Sequence, residues 1–252
     1  STALYALLVL RWTRGLFEDE EVLFRESGQR TLRAMVLKKY NVTTGLPTAG
    51  QAVFLVLAAL AGQFFIGDLA LARPVIGHLV TMFVLFVGLT LVACRASKLD
   101  TVKTLRLRPP RAVDLLLGVG LLIALLSPLT ELGGLLTHEG MGPEVERYRR
   151  QIEAMFFQGI DPWISLILIA AVPGLCEEVL FRGYVLSGFL SKRRAAWLAI
   201  VLTGAIFAAV HLQWYGFGVR FVLGAALAGV TLASRSLWPA VAMHALFNAR
   251  AV

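Results

Sequence analysis

The chain has 252 residues, a formal charge of +8, 58% hydrophobic and only 16% charged residues, and a mean hydropathy of +0.74. Soluble domains run at roughly 45–50% apolar and 25% charged, so a water-soluble globule, a disordered chain, a coiled coil and a disulfide-knotted scaffold are all excluded. The apolar residues come in long blocks, which predicts an all-α fold: a polytopic α-helical membrane protein of about seven or eight transmembrane helices.

Taken in chain order, residues 2–10 (TALYALLVL) are apolar but too short to cross a bilayer. They read as the end of a preceding span. Residues 11–49 are polar and mixed in charge, a cytoplasmic or interfacial linker in which Trp12, Phe17, Leu23 and Phe24 suit the lipid side of surface helices. The membrane domain then covers 50–252. Spans are expected at about 50–66, 74–94 (opened by Pro74) and 113–130, with a polar, acidic connection at 131–161. The block 162–190 is long for one span. Pro173 and Gly174 interrupt it, which predicts a kinked helix or two helices. Further spans follow at about 195–212, 218–233 and 237–250.

The basic residues sit in loops. Placing 11–49, 95–112, 191–194 and 234–236 on one side gathers 17 Lys/Arg there against five in the opposite loops, the pattern of a cytoplasmic face. This distribution speaks for a bilayer and against nucleic acid as the partner. Cys94 and Cys176 lie within or at the end of apolar blocks and read as buried small hydrophobes. His78 and His138 are expected near the interfaces and inert. Trp163, Trp214, Tyr215 and Trp238 suit interface anchors.

Ionisable groups inside a span cost roughly 2.5–3.5 kcal/mol each on insertion scales. The C-terminal part carries them at three places: Glu177, Glu178 and Arg182 in CEEVLFRG, His211 in FAAVHLQW, and His244 with Asn248 in MHALFNAR. Glu178 and Arg182 are four apart, acid first, and neutralise each other. Glu177 lies about 100° round the helix and has no such partner. Counted from the basic turn at 191–194, Glu177 and His211 lie at depths of roughly 21 and 25 Å, so they face each other across a helix pair. His244, counted from 237, is only about 10 Å deep and fits less well.

A carboxylate beside an imidazole in a low-dielectric cavity can deprotonate a water, and a second His with an Asn can stabilise a tetrahedral oxyanion. The same Glu177, His211 and His244 could instead ligate zinc. Other intramembrane patterns fail: the chain has no HExxH, no GxGD pair and no Gly-x-Ser setting around Ser187.

These residues resemble the CPBP family of intramembrane proteases (CAAX proteases and bacteriocin-processing enzymes, also called the Abi family). That family carries EExxxR, FxxxH and HxxxN/B on successive membrane helices. Here they read Glu177 to Arg182, Phe207 to His211, and His244 to Asn248, within a core at about 162–252. The resemblance implies that Glu177 and His211 activate the water, that His244 and Asn248 form the oxyanion site, and that Glu178 and Arg182 support the structure. It implies a membrane-bound or lipidated peptide or protein as substrate. It leaves a metal-free glutamate mechanism and a zinc mechanism both open. The expected location is a prokaryotic plasma membrane. The stretch ALLVLRWTRGLFEDEEVLFRE is also similar to the junction where an ABC export permease is fused to a CPBP domain. The competing reading is a non-catalytic membrane module, a transporter accessory or an immunity factor, that binds its partner through the same intramembrane polar groups.

Overall fold

The computed structural model describes residues 45–136, 142–190 and 196–250, all within one compact unit, Val36–Val252. The expectations for residues 1–44 and for His138 lie outside the described residues. The described residues are helical and contain no strand. We number the main helices α1 (Ala49–Phe65), α2 (Pro74–Ala96), α3 (Ala112–Leu136), α4 (Gly142–Phe156), α5 (Pro162–Leu190), α6 (Ala196–Ala209), α7 (Phe217–Ser234) and α8 (Trp238–Ala249).

Helix starts follow local chemistry. Thr48 opens α1 with a reciprocal cap, its hydroxyl accepting from Gln51 N while Gln51 Oε1 accepts from Thr48 N. Asp161 caps α5 through Trp163 N at 2.9 Å, and Pro162 fills the first turn where no donor is needed.

Among the described residues, α2, α3, α5 and the segment Trp214–Ser234 are long and apolar enough to span a bilayer; α1 and α6 are shorter apolar helices, and α8 has 12 residues. Pro173 does not break α5. A wide π-type stretch at Ile167–Ala171 precedes the proline, and a second at Val179–Val185 follows the two glutamates. Such wide turns alter the hydrogen-bond ladder, which lets the helix continue past a residue without an N–H. The 131–161 segment, expected as a connection, contains α4. Its Glu146 pairs with Arg149 and Arg150, and Glu153 also pairs with Arg149, all at helical spacing.

The helices present two kinds of face. Leu116, Leu117, Ile123, Val84, Val92 and Trp163 point outward, as an apolar surface must against acyl chains. Inside, α5 packs against α2, α6, α7 and α8. Close approaches are set by glycines. A side chain at Gly174 would strike the backbone of Ala245 on α8 at 3.0 Å, and one at Gly204 would strike Ala225 N at 2.9 Å.

The helix ends on the basic side are not level. A side chain at Gly183 would strike Leu105 at 2.8 Å, seven residues before α5 ends, so the loop after α2 packs about 10 Å short of Leu190. Leu237 N donates to Arg106 O at 2.9 Å and Ser236 Oγ donates to Arg108 O at 2.7 Å, which holds the α7–α8 turn at that same recessed level.

Candidate active site

Two neighbouring carboxylates on α5 have different surroundings. Glu178 is fully buried, and its Oε1 accepts from Arg182 Nη1 at 2.8 Å and from His244 Nδ1 at 2.8 Å. Arg182, also fully buried, donates Nη2 to Gly224 O on α7 at 3.0 Å and lies 4.3 Å over the Phe207 ring of α6. One ion pair therefore ties α5 to α6, α7 and α8. A charge pair this deep is held by mutual neutralisation and by the bonds to His244 and Gly224 O, while Glu178 Oε2 and Arg182 Nε are buried without a hydrogen-bond partner.

Glu177 is set differently. Its Oε2 is buried with no hydrogen-bond partner and stands 4.0 Å from His244 Nε2. That gap is too long for a direct hydrogen bond and short enough for one water to touch both atoms.

The two histidines are oriented by the same device. His211 Nδ1 is 2.8 Å from Phe207 O, and His244 Nδ1 is 2.8 Å from the Glu178 carboxylate. Both partners are acceptors, so each Nδ1 donates, and in the neutral ring the lone pair is on Nε2. Phe207 stands edge-on to both rings, at 5.0 Å from His211 and 5.6 Å from His244.

The structure gives Glu177 a neighbour that the depth count did not. Glu177 meets His244, and it forms no hydrogen bond or ion pair with His211 among the described residues. His244 reaches this depth because α8 starts from the recessed turn at 234–237, a displacement that counting residues from the helix start does not see. His211 lies just past the last residue of α6, in a turn that Leu212 takes with φ 53°. Asn248, one turn after His244, is half-buried and makes no hydrogen bond with the described residues; the His244 ring is occupied by Glu178 instead.

Arg220 escaped sequence reasoning. It sits at the start of α7 and packs across Gly216, where any side chain would collide with its guanidinium. One amino group donates to Gln213 Oε1, while Nη1 is buried without a partner. Its charge acts on both Glu177 and His211. The signal in the sequence was a cation at the start of an apolar block, easily taken for a loop charge.

Among the described residues, no three His, Cys, Asp or Glu side chains come together as a metal site. Glu177, His211 and His244 are thus not gathered as a ligand set in this arrangement. Cys94 and Cys176 are buried free thiols. His78 links α2 to α5 through Leu168 O at 2.9 Å and packs on Phe156.

No curated protein and no solved structure matches the chain. Residues 159–250 match the family model described as type II CAAX prenyl endopeptidase Rce1-like. That span contains every residue of the buried Glu/His constellation, and the chain is thus an integral membrane protein carrying an Rce1-like domain of the CPBP/CAAX protease family, an intramembrane endopeptidase domain in general type.

Proposed function

We propose that the chain hydrolyses a peptide bond of a membrane-associated substrate with a water activated by Glu177. The observation that carries this reading is the unpaired, buried Glu177 Oε2 standing 4.0 Å from the Nε2 lone pair of His244. A water held between them has two acceptors for its protons, and transfer to a carboxylate in a dry cavity is ordinary general-base chemistry. The oxygen attacks the scissile carbonyl, the C–N bond breaks, and the proton passes from Glu177 to the leaving amine. His244 is pre-oriented by Glu178, as the imidazole of a hydrolase is oriented by a buried carboxylate.

The roles of the remaining groups follow from position. Asn248, on the same face as His244, offers an amide N–H to the developing oxyanion. Arg220 has an unused N–H and a positive charge beside Glu177 and His211, which suits a substrate carbonyl or carboxylate. His211 presents a neutral Nε2 at the same mouth and completes the polar lining. The substrate class is a membrane-bound or lipidated peptide. An export permease joined ahead of this domain is the partner suggested by the N-terminal stretch alone.

The test is cleavage of a membrane-anchored peptide reporter by the full chain in liposomes. Glu177→Gln preserves shape and removes the base, and cleavage is expected to disappear. Unchanged turnover removes Glu177 as base. A metal chelator is expected to leave turnover intact; loss that zinc restores would replace this mechanism with a metal-dependent one. If no reporter is cleaved and a binding phenotype survives Glu177→Gln, the domain is a non-catalytic module.

A further inference from the structure

A cavity of about 260 Å³ opens on the basic side, away from the Glu/His constellation. It is lined by Leu46, Val102, Lys103, Arg106, Arg108 and Arg235. Four of the six are cations, and no carboxylate lines it among the described residues. Topology requires basic loops on one face, but it requires only their number. It does not require three arginines from two separate loops, Arg106, Arg108 and Arg235, to converge on one hollow.

The convergence is enforced by the fold. Arg106 and Arg235 both adopt left-handed backbone, with φ 53° and 55°, a conformation that costs a non-glycine residue and persists only when its surroundings dictate it. Here both residues end helices, Arg235 after Ser234 and Arg106 after the short helix Thr101–Thr104, and the Leu237–Arg106 and Ser236–Arg108 hydrogen bonds then tie the two loops together. Arg106 is further pinned by Nη1, which donates to Arg182 O at 3.0 Å and to Ser187 Oγ at 2.7 Å. Its Nε and Nη2 make no hydrogen bond with the described residues, and the side chains of Arg108 and Arg235 make neither hydrogen bonds nor ion pairs with them. Burial holds the Arg106 guanidinium down to about 10, a penalty that a neighbouring anion would offset.

The geometry points to this cavity as a binding site for the phosphate group of an anionic membrane lipid. A phosphate presents several acceptor oxygens to the unused guanidinium N–H groups, the pairing for which arginine is best shaped. Leu46 and Val102 give the same hollow an apolar wall, which suits a glycerol and acyl chain and adds nothing for a free anion. The site also lies in loops between spans, on the face with the excess of Lys/Arg, where anionic headgroups collect.

The experiment titrates the full chain in detergent with short-chain phosphatidic acid, with phosphatidylcholine of the same chain length, and with inorganic phosphate, read by native mass spectrometry. Phosphatidic acid is expected to bind and phosphatidylcholine to bind weakly. Arg108→Gln with Arg235→Asn, the latter chosen because Asn tolerates left-handed backbone, should weaken phosphatidic acid by about tenfold. A matched pair on the same face but outside the cavity, Arg95→Gln with Lys98→Gln, should change it by less than about twofold. Equal losses from both pairs would reduce the effect to bulk surface charge and overturn the proposal. Equal binding of phosphatidylcholine, or inorganic phosphate binding as tightly as phosphatidic acid, would overturn the lipid assignment. Should the double variant melt earlier than the wild-type chain, Arg108→Gln alone, at an exposed side chain, is expected to give a smaller loss of about threefold, and no loss there would also overturn it. The readout is binding, so it stands or falls independently of whether peptide cleavage is observed.

Discussion

α3 and α5 are both apolar enough to span a membrane, yet 22% of the spanning stretch is buried in α3 and 67% in α5. The difference lies in what surrounds them. α3 shows Leu116, Leu117 and Ile123 to the outside and keeps its one paired acid, Asp114, in its first turn against Arg111. α5 is enclosed by α2, α6, α7 and α8, and holds two glutamates and an arginine halfway along. Lipid gives a charged group nothing to bond with, whereas a helix ringed by protein can supply His244, Gly224 O and the Phe207 face. Apolar composition alone therefore says that a helix is in the membrane, and the internal charges say that it is in the middle of the protein.

The sharpest break of that comparison is chemical. Glu177→Ala should lower reporter cleavage by about a thousandfold while leaving the melting temperature in detergent nearly unchanged, because Glu177 Oε2 has no partner to lose. A drop in stability equal to that of an Arg182 variant would make Glu177 a structural group. Next in size is the buried pair itself. Arg182→Met leaves the Glu178 carboxylate without its cation, held only by His244 Nδ1, and should cost about 3–5 kcal/mol, while Arg182→Met combined with Glu178→Leu should recover most of it. Thermal unfolding of the two variants decides the matter, and no recovery would mean that the pair is needed for its geometry and not only for its charge balance.

Packing gives the third contrast. Leu180→Ala, at a residue 1% exposed on α5, should cost about 2 kcal/mol or more, and Leu116→Ala, at a residue 72% exposed on α3, less than about 0.5 kcal/mol. Equal costs would show that the outward face of α3 is covered by protein. The smallest effect lies outside both helices, on α4. Arg149 and Arg150 hold the Glu146 carboxylate down to about 2. A carboxylate held low contributes support that is complete above its ordinary range near 4.5 and fades as pH falls through about 2. Circular dichroism should show α4 unaffected by this pair at any pH above 5, and Glu146→Gln should leave cleavage untouched.

The class of fold was legible because the bilayer demands long apolar runs. The candidate site was legible because charge inside such a run is costly, which marked Glu177, Glu178, Arg182, His211 and His244 at once. What the letters did not reveal was relative height. Residue counting assumes that all helices start at one level, and α8 starts about 10 Å lower than α5 ends. That assumption left His244 short of the depth at which it meets Glu177 and Glu178. Arg220 was missed for a related reason: only the turn at Gly216 folds it inward.

Gly174 gives the last consequence. A hydrogen atom is all that separates α5 from the main chain of α8 at Ala245, one residue after His244 and three residues before Glu177 in the other strand of the crossing. The spacing between Glu177 and His244 is thus set by the absence of a side chain. Lengthening that spacer stepwise, through alanine to valine, would pry the two rods apart and turn the width of the gap into an adjustable dial on turnover.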